Sequence, residues 1–160
     1  MVLDVVIPLV AGLVAVIATN VFNAARSRSE RKRRRRSLTA ALDSEAKSCG
    51  VGVWRLLREH PRSENSAYQT DQFYGSASRY AAAGDVFMAH LPSADVIDPG
   101  AVRALTDAYV EIRAAAAEAD QLADIGSAAT PMGMTWALKD RLAVALGQLH
   151  RAVSMLGESR

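Results

Sequence analysis

The stretch VVIPLVAGLVAVIATNVFNAA (residues 5–25), followed at once by RSRSERKRRRR (residues 26–36), decides how this chain is organised. Its first part holds no charged side chain, and 21 residues at about 1.5 Å each span roughly 31 Å, matching the hydrocarbon core of a bilayer. Val and Ile favour strand in water, but lipid offers backbone groups no outside partner and so selects a helix. Pro8 falls in the first turns, where its missing N–H does least damage. A cleaved signal peptide would carry positive charge ahead of the apolar run, whereas Asp4 precedes this one and the arginines follow it. A helix lying in the interface would need a polar face, and residues 5–18 have none. Residues 1–25 are therefore expected to form a transmembrane anchor.

The formal net charge of +2 hides a segregation. Arg26, Arg28, Arg31, Lys32, Arg33, Arg34, Arg35 and Arg36 stand against Glu30 alone, a local +7, while residues 37–160 carry 15 acidic and 11 basic side chains, a net −4. Cations next to a span stay on the cytoplasmic side, so the expected topology is a single pass through the inner membrane. The N-terminus then lies outside and the C-terminal domain in the cytoplasm. These eight side chains are the candidate contacts to anionic lipid headgroups, each worth about 1 kcal/mol near the surface. The plainer account of the same cluster is a stop-transfer signal that does nothing beyond setting topology. Nucleic-acid binding is disfavoured, because no aromatic residues interleave with the arginines. Within the span, Ala11, Gly12, Ala15 and Ala18 have the small-residue spacing that lets a second helix approach closely.

Beyond the polybasic segment (26–36), residues 37–160 suffice for one domain with a core of its own. No proline occurs between Pro8 and Pro61, so the first helix can run through the arginines to Glu59. Leu38, Leu42, Ala46, Cys49, Val53 and Leu56 recur at steps of three and four, the stripe of a helix packed on partners. Gly50 and Gly52 in that stretch suggest close backbone approach or a bend. Residues 60–65 read as a loop, and Ser66 with Gln69 as a capping box. Phe73, Ala77 and Tyr80 line the next helix, which Gly84 ends. Asp85 is expected to cap a short helix over 86–91.

Asp98 before Pro99 opens the clearest helix, with a stripe of Val102, Leu105, Tyr109, Ile112, Ala116, Ala119, Leu122 and Ile125 ending at Gly126. After a loop over 126–133, Met134, Leu138, Leu142, Ala145, Leu149, Ala152 and Leu156 repeat the pattern. Four useful helices with short connections bury such stripes most simply as a mostly antiparallel all-α bundle. Trp54, Trp136, Tyr68, Phe73, Tyr74, Tyr80 and Phe87 are expected to supply its larger core volume.

Chemistry is sparse. The one cysteine, Cys49, excludes an intrachain disulfide and reads as a small buried hydrophobe. His60, His90 and His150 are far apart and lack metal-ligand spacing, and no common catalytic motif occurs. Asp120 with Asp124, and Asp95 with Asp98, read as solvated edges and a cap rather than cation sites. Arg55, Arg58 and Arg62 read as the solvent side of a helix rather than an anion patch. No catalytic, cofactor-binding or metal-binding residue is expected. The layout of span, polybasic junction and helical bundle is similar to that of small bacterial and phage membrane proteins, a likeness that assigns no site. The expectation is a non-enzymatic interaction module at the cytoplasmic face that binds another protein or itself. Trp54, Trp136 and the two loops are its candidate contact features. The alternative is a phage-type membrane-perturbing or exclusion protein whose spans oligomerise.

Overall fold

The computed structural model describes the backbone of residues 2–61, 67–126 and 130–158, and the side chains within those ranges from residue 19 onward. Helices α1 (Val2–Glu59), α2 (Ala67–Ala77), α3 (Asp85–His90), α4 (Pro99–Ile125) and α5 (Met132–Glu158) follow one another. Two 3-10 turns, Ser78–Ala82 and Leu91–Val96, join α2 to α3 and α3 to α4, and no strand occurs among the described residues. The chain divides into two units, Met1–Ser37 and Leu38–Arg160.

The first unit is helical from Val2. Residues 19–37 are all exposed, and Arg26 pairs with Glu30 at 2.9 Å one turn on. Among the described residues, no helix is long and apolar enough to cross a membrane. Ala11, Gly12, Ala15 and Ala18, with the rest of the run over 5–18, lie outside the described side chains.

The second unit is an all-α bundle. Leu38, Leu42, Ala46, Val53 and Leu56 of α1 are buried as their spacing requires, with Cys49 half-buried among them. In α5 the stripe Leu138, Leu142, Ala145, Leu149, Ala152 and Leu156 is buried, each at most 1 % exposed. Gly50 of α1 lies against Leu146 of α5, and near the end of α1 the Pro61 carbonyl accepts from Lys139 Nζ at 3.3 Å near the start of α5, so the two run antiparallel. Gly100, at the start of α4, lies against Met155 near the end of α5, which makes that pair antiparallel too.

Helix α4 is the hub, packed on α5, on α2 and on the first 3-10 turn. Its buried arc is therefore wider than the expected stripe and takes in Ala101, Ala104, Ala108 and Ala115, whose short side chains let three neighbours approach. Asp98 caps it as expected, Oδ1 accepting from the Ala101 N–H at 3.0 Å. At the ends the stripes run out: Val102 is only half-buried, while Ile125 and Met134 are exposed.

Two expectations need correction. Trp54, Trp136 and Tyr68 are 48 %, 42 % and 71 % exposed and do not fill the core, whose large aromatics are Phe73, Tyr74, Phe87 and Tyr109. Each tryptophan follows a buried residue, Val53 or Thr135, by one position, and about 100° of helical rotation turns it off the buried stripe. The second correction is the cap of the short helix, which spans Asp85–His90 and is not capped by Asp85. Glu45 of α1 does that from across the bundle, its two carboxylate oxygens accepting from the Val86 and Phe87 N–H groups at 2.9 Å each. Asp85 instead pairs with Arg113 of α4, which also donates from Nε to the Ala83 carbonyl at 2.6 Å. Of the proposed capping box, Ser66 lies outside the described residues, as do residues 62–65 of the first loop, Arg62 among them, and residues 127–129 of the second.

Candidate interaction surfaces

The eight cations of residues 26–36 all stand exposed on α1. At about 100° per residue they distribute around the whole circumference of the helix, a collar rather than a stripe. Glu30 partly neutralises it through Arg26.

In the second unit, α1 is flanked by two grooves. The wider, about 740 Å³, lies between α1 and the segment leading into α3, with Ser44, Ser48 and Cys49 on one wall and Arg79 and Tyr80 on the other. Gly52 permits that approach, since a Cβ there would stand 2.5 Å from the Tyr80 hydroxyl oxygen. Burial, reinforced by the Glu45 carboxylate, pushes the Cys49 thiol up to about 11. Burial foremost, then Cys49 and Glu59 against an opposing Arg55, raises the Tyr80 phenol. Beneath the groove, Tyr109 is held protonated by burial and by Glu45, its buried hydroxyl finding no partner at hydrogen-bonding geometry.

Cys49 is thus a weak nucleophile at neutral pH. With its pKa near 11 against 9.0 for a free thiol, its thiolate fraction at pH 8 is about a hundredth of the ordinary one. Alkylation by iodoacetamide at pH 8 is expected to be slower than in the urea-unfolded chain by about that factor, and a rate within threefold of the unfolded one would contradict it. The fold holds this proton after the unfolded chain has released it. The contribution is therefore complete below pH 9 and declines as pH rises from about 9 to about 11.

The second groove, about 390 Å³, lies between α1 and α5 and is lined by Ala46, Lys47, Gly50, Val51 and Trp54 on one side and by His150 and Val153 on the other. It is mainly apolar and holds no acidic residue. Val51 and Trp54 are about half-exposed on its lip, and the Arg58 guanidinium sits 5.2 Å from the Trp54 ring.

The remaining candidates are dispersed. His60 packs edge-on against Phe73 with ring centroids 5.7 Å apart, His90 is exposed, and His150 lines the second groove. Asp98 is engaged as a cap, while Asp95, Asp120 and Asp124 are exposed. Among the described residues, no three His, Cys, Asp or Glu side chains are grouped to hold a metal ion. The groove at Trp54 was partly legible, because that indole lies off the stripe of its own helix. The Glu45 bridge was not, since it joins positions 41 and 42 apart in sequence. No protein-family model, curated protein or solved structure matches this chain.

Proposed function

We propose that the chain is a single-pass inner-membrane protein, N-terminus outside. In this reading its Leu38–Arg160 unit serves at the cytoplasmic face as a non-enzymatic interaction module. The observation that carries the interaction is the Trp54 groove. An indole and a valine left half-exposed on an apolar concavity, with Lys47 and Arg58 beside them, have the make-up of a surface awaiting a partner. Support for the anchor comes from the uncharged run over 5–25 and from the form of the basic segment. A helix lying on a membrane or in a nucleic-acid groove needs cations on one side, whereas a helix that pierces a headgroup layer meets anions all round, as the collar does. Anionic lipids are accordingly its lipid partners.

Two measurements on the full chain test this. After expression in a bacterium, the protein is expected to stay in the membrane pellet through a carbonate wash, with residues 38–160 shielded from protease added to spheroplasts. Release into the wash, or digestion from outside, defeats the anchored reading. Chemical crosslinking in those membranes is expected to give discrete higher-mass species that Trp54→Ala removes; a pattern unchanged by that substitution counts against the groove as the contact.

A further inference from the structure

The segment 85–96, made of α3 and the 3-10 turn that follows it, is lightly held within the Leu38–Arg160 unit. Between the buried Gly84 and Ile97, Phe87 alone is buried, its ring centroid 5.6 Å from that of Tyr109. Val86, Met88 and Leu91 stand exposed and draw no stability from the core. A helix of 6 residues is also far shorter than the roughly 12–15 that reach even marginal stability alone. Nor does it carry its own cap. The N-cap residue is Gly84, which has no side chain to accept from the first turn. Helix α3 therefore depends on ties from other elements. The Val86 and Phe87 N–H groups of its first turn donate to Glu45 Oε1 and Oε2 of α1 at 2.9 Å each. Arg113 of α4 holds the entry to the helix through the Ala83 carbonyl and Asp85. Of the two ties the first is the stronger: Asp85 is exposed and its ion pair is screened, whereas the half-buried Glu45 carboxylate takes both N–H groups.

From this arrangement we infer that residues 85–96 form a strap that opens as a unit while the other helices of the bundle stay folded, with Glu45 as its latch. Through Val86 the strap contributes to one wall of the wider groove, next to Ala83 and Gly84. Opening widens that groove and uncovers Phe87 and the Tyr109 ring beside the already exposed Val86, Met88 and Leu91. Latch and strap belong to different helices, so a rotation of α1 that withdraws Glu45 releases both N–H groups at once. Movement of one helix is thereby converted into exposure of apolar surface on another. The inference goes beyond the interaction-module reading and needs neither the anchor nor the Trp54 contact.

Hydrogen–deuterium exchange of the full chain in detergent at neutral pH, read by mass spectrometry of its peptides, tests this. In the wild type, residues 86–91 are expected to exchange about a hundredfold or more faster than residues 138–152 of α5, because they open without the bundle. Glu45→Gln keeps the shape of the latch but removes its charge and turns an amide NH2 toward one of the two N–H groups. Exchange over 86–91 should then rise about tenfold or more, while 138–152 stay within about threefold of wild type. Arg113→Met, which cuts the other tie, should speed the same residues by a smaller factor. Circular dichroism and the urea midpoint of each variant verify folding. Equal protection of 86–91 and 138–152 in the wild type would mean that α3 opens only with the whole bundle, and overturns the strap. Acceleration of both segments alike in Glu45→Gln, no acceleration of 86–91, or a larger effect from Arg113→Met overturns Glu45 as the latch.

Discussion

Gly84→Ala is expected to destabilise the Leu38–Arg160 unit by about 2–5 kcal/mol, the sum of a left-handed backbone cost and an overpacking cost. Gly84 sits at φ +82°, and a Cβ built on it would lie 2.5–2.8 Å from three carbons of the Tyr109 ring. That ring cannot retreat, because Tyr109 is 2 % exposed and packs against Phe87 with centroids 5.6 Å apart. Gly126 supplies the control. It has φ +80° and nothing within 4 Å of its missing Cβ, so Gly126→Ala incurs backbone strain alone, about 1–3 kcal/mol. Urea denaturation of both full-length variants, followed by circular dichroism, measures the difference. A Gly84→Ala cost no larger than the roughly 1–2 kcal/mol of a left-handed backbone alone would mean that Tyr109 does not press on Gly84.

Phe73→Ala is the second large effect, about 3–5 kcal/mol, from lost transfer free energy and the cavity left behind. Phe73 is fully buried and ties three elements together. It belongs to α2, its ring meets His60 just beyond α1, and the Lys139 ammonium of α5 lies 5.0 Å from its centroid. Lys139 is itself only 7 % exposed, so the ring is part of what makes that charge tolerable inside the bundle. Phe73→Leu keeps most of the volume but gives up the ring face, and is expected to cost about 1–2 kcal/mol. A lower midpoint with an unchanged denaturant slope would mark these as losses of stability. A Phe73→Ala cost below about 1 kcal/mol would place Phe73 outside the core.

The stripes of α1, α4 and α5 were legible because each large apolar residue repeats at the helical period against a polar remainder. Leu38 to Leu56 and Leu138 to Leu156 are buried almost residue for residue. The alanines of α4 were not, since Ala carries too little hydrophobic signal to reveal that a helix has neighbours on several sides. Aromatic content misled at Trp54 and Trp136, where hydrophobicity suggested core but register turned both indoles outward. That register was present in the sequence, one position off each buried stripe. The polar links were invisible for a different reason. Glu45 to Val86 and Phe87, and Tyr74 Oη to Thr135 Oγ1 at 2.7 Å, join residues whose separation encodes nothing about proximity.

By itself, the order of residues determined the helical class, the Asp98 cap, the stop at Gly126 and the segregation of charge into residues 26–36, because all of these arise from interactions within a few positions of the chain. Only the tertiary structure decided that Glu45 caps a helix on another element, that α4 is covered by several neighbours, and that Trp54 borders an open apolar groove. Those outcomes depend on which helix faces meet, and that is set by how side chains of different volume pack together rather than by the local pattern of any one helix.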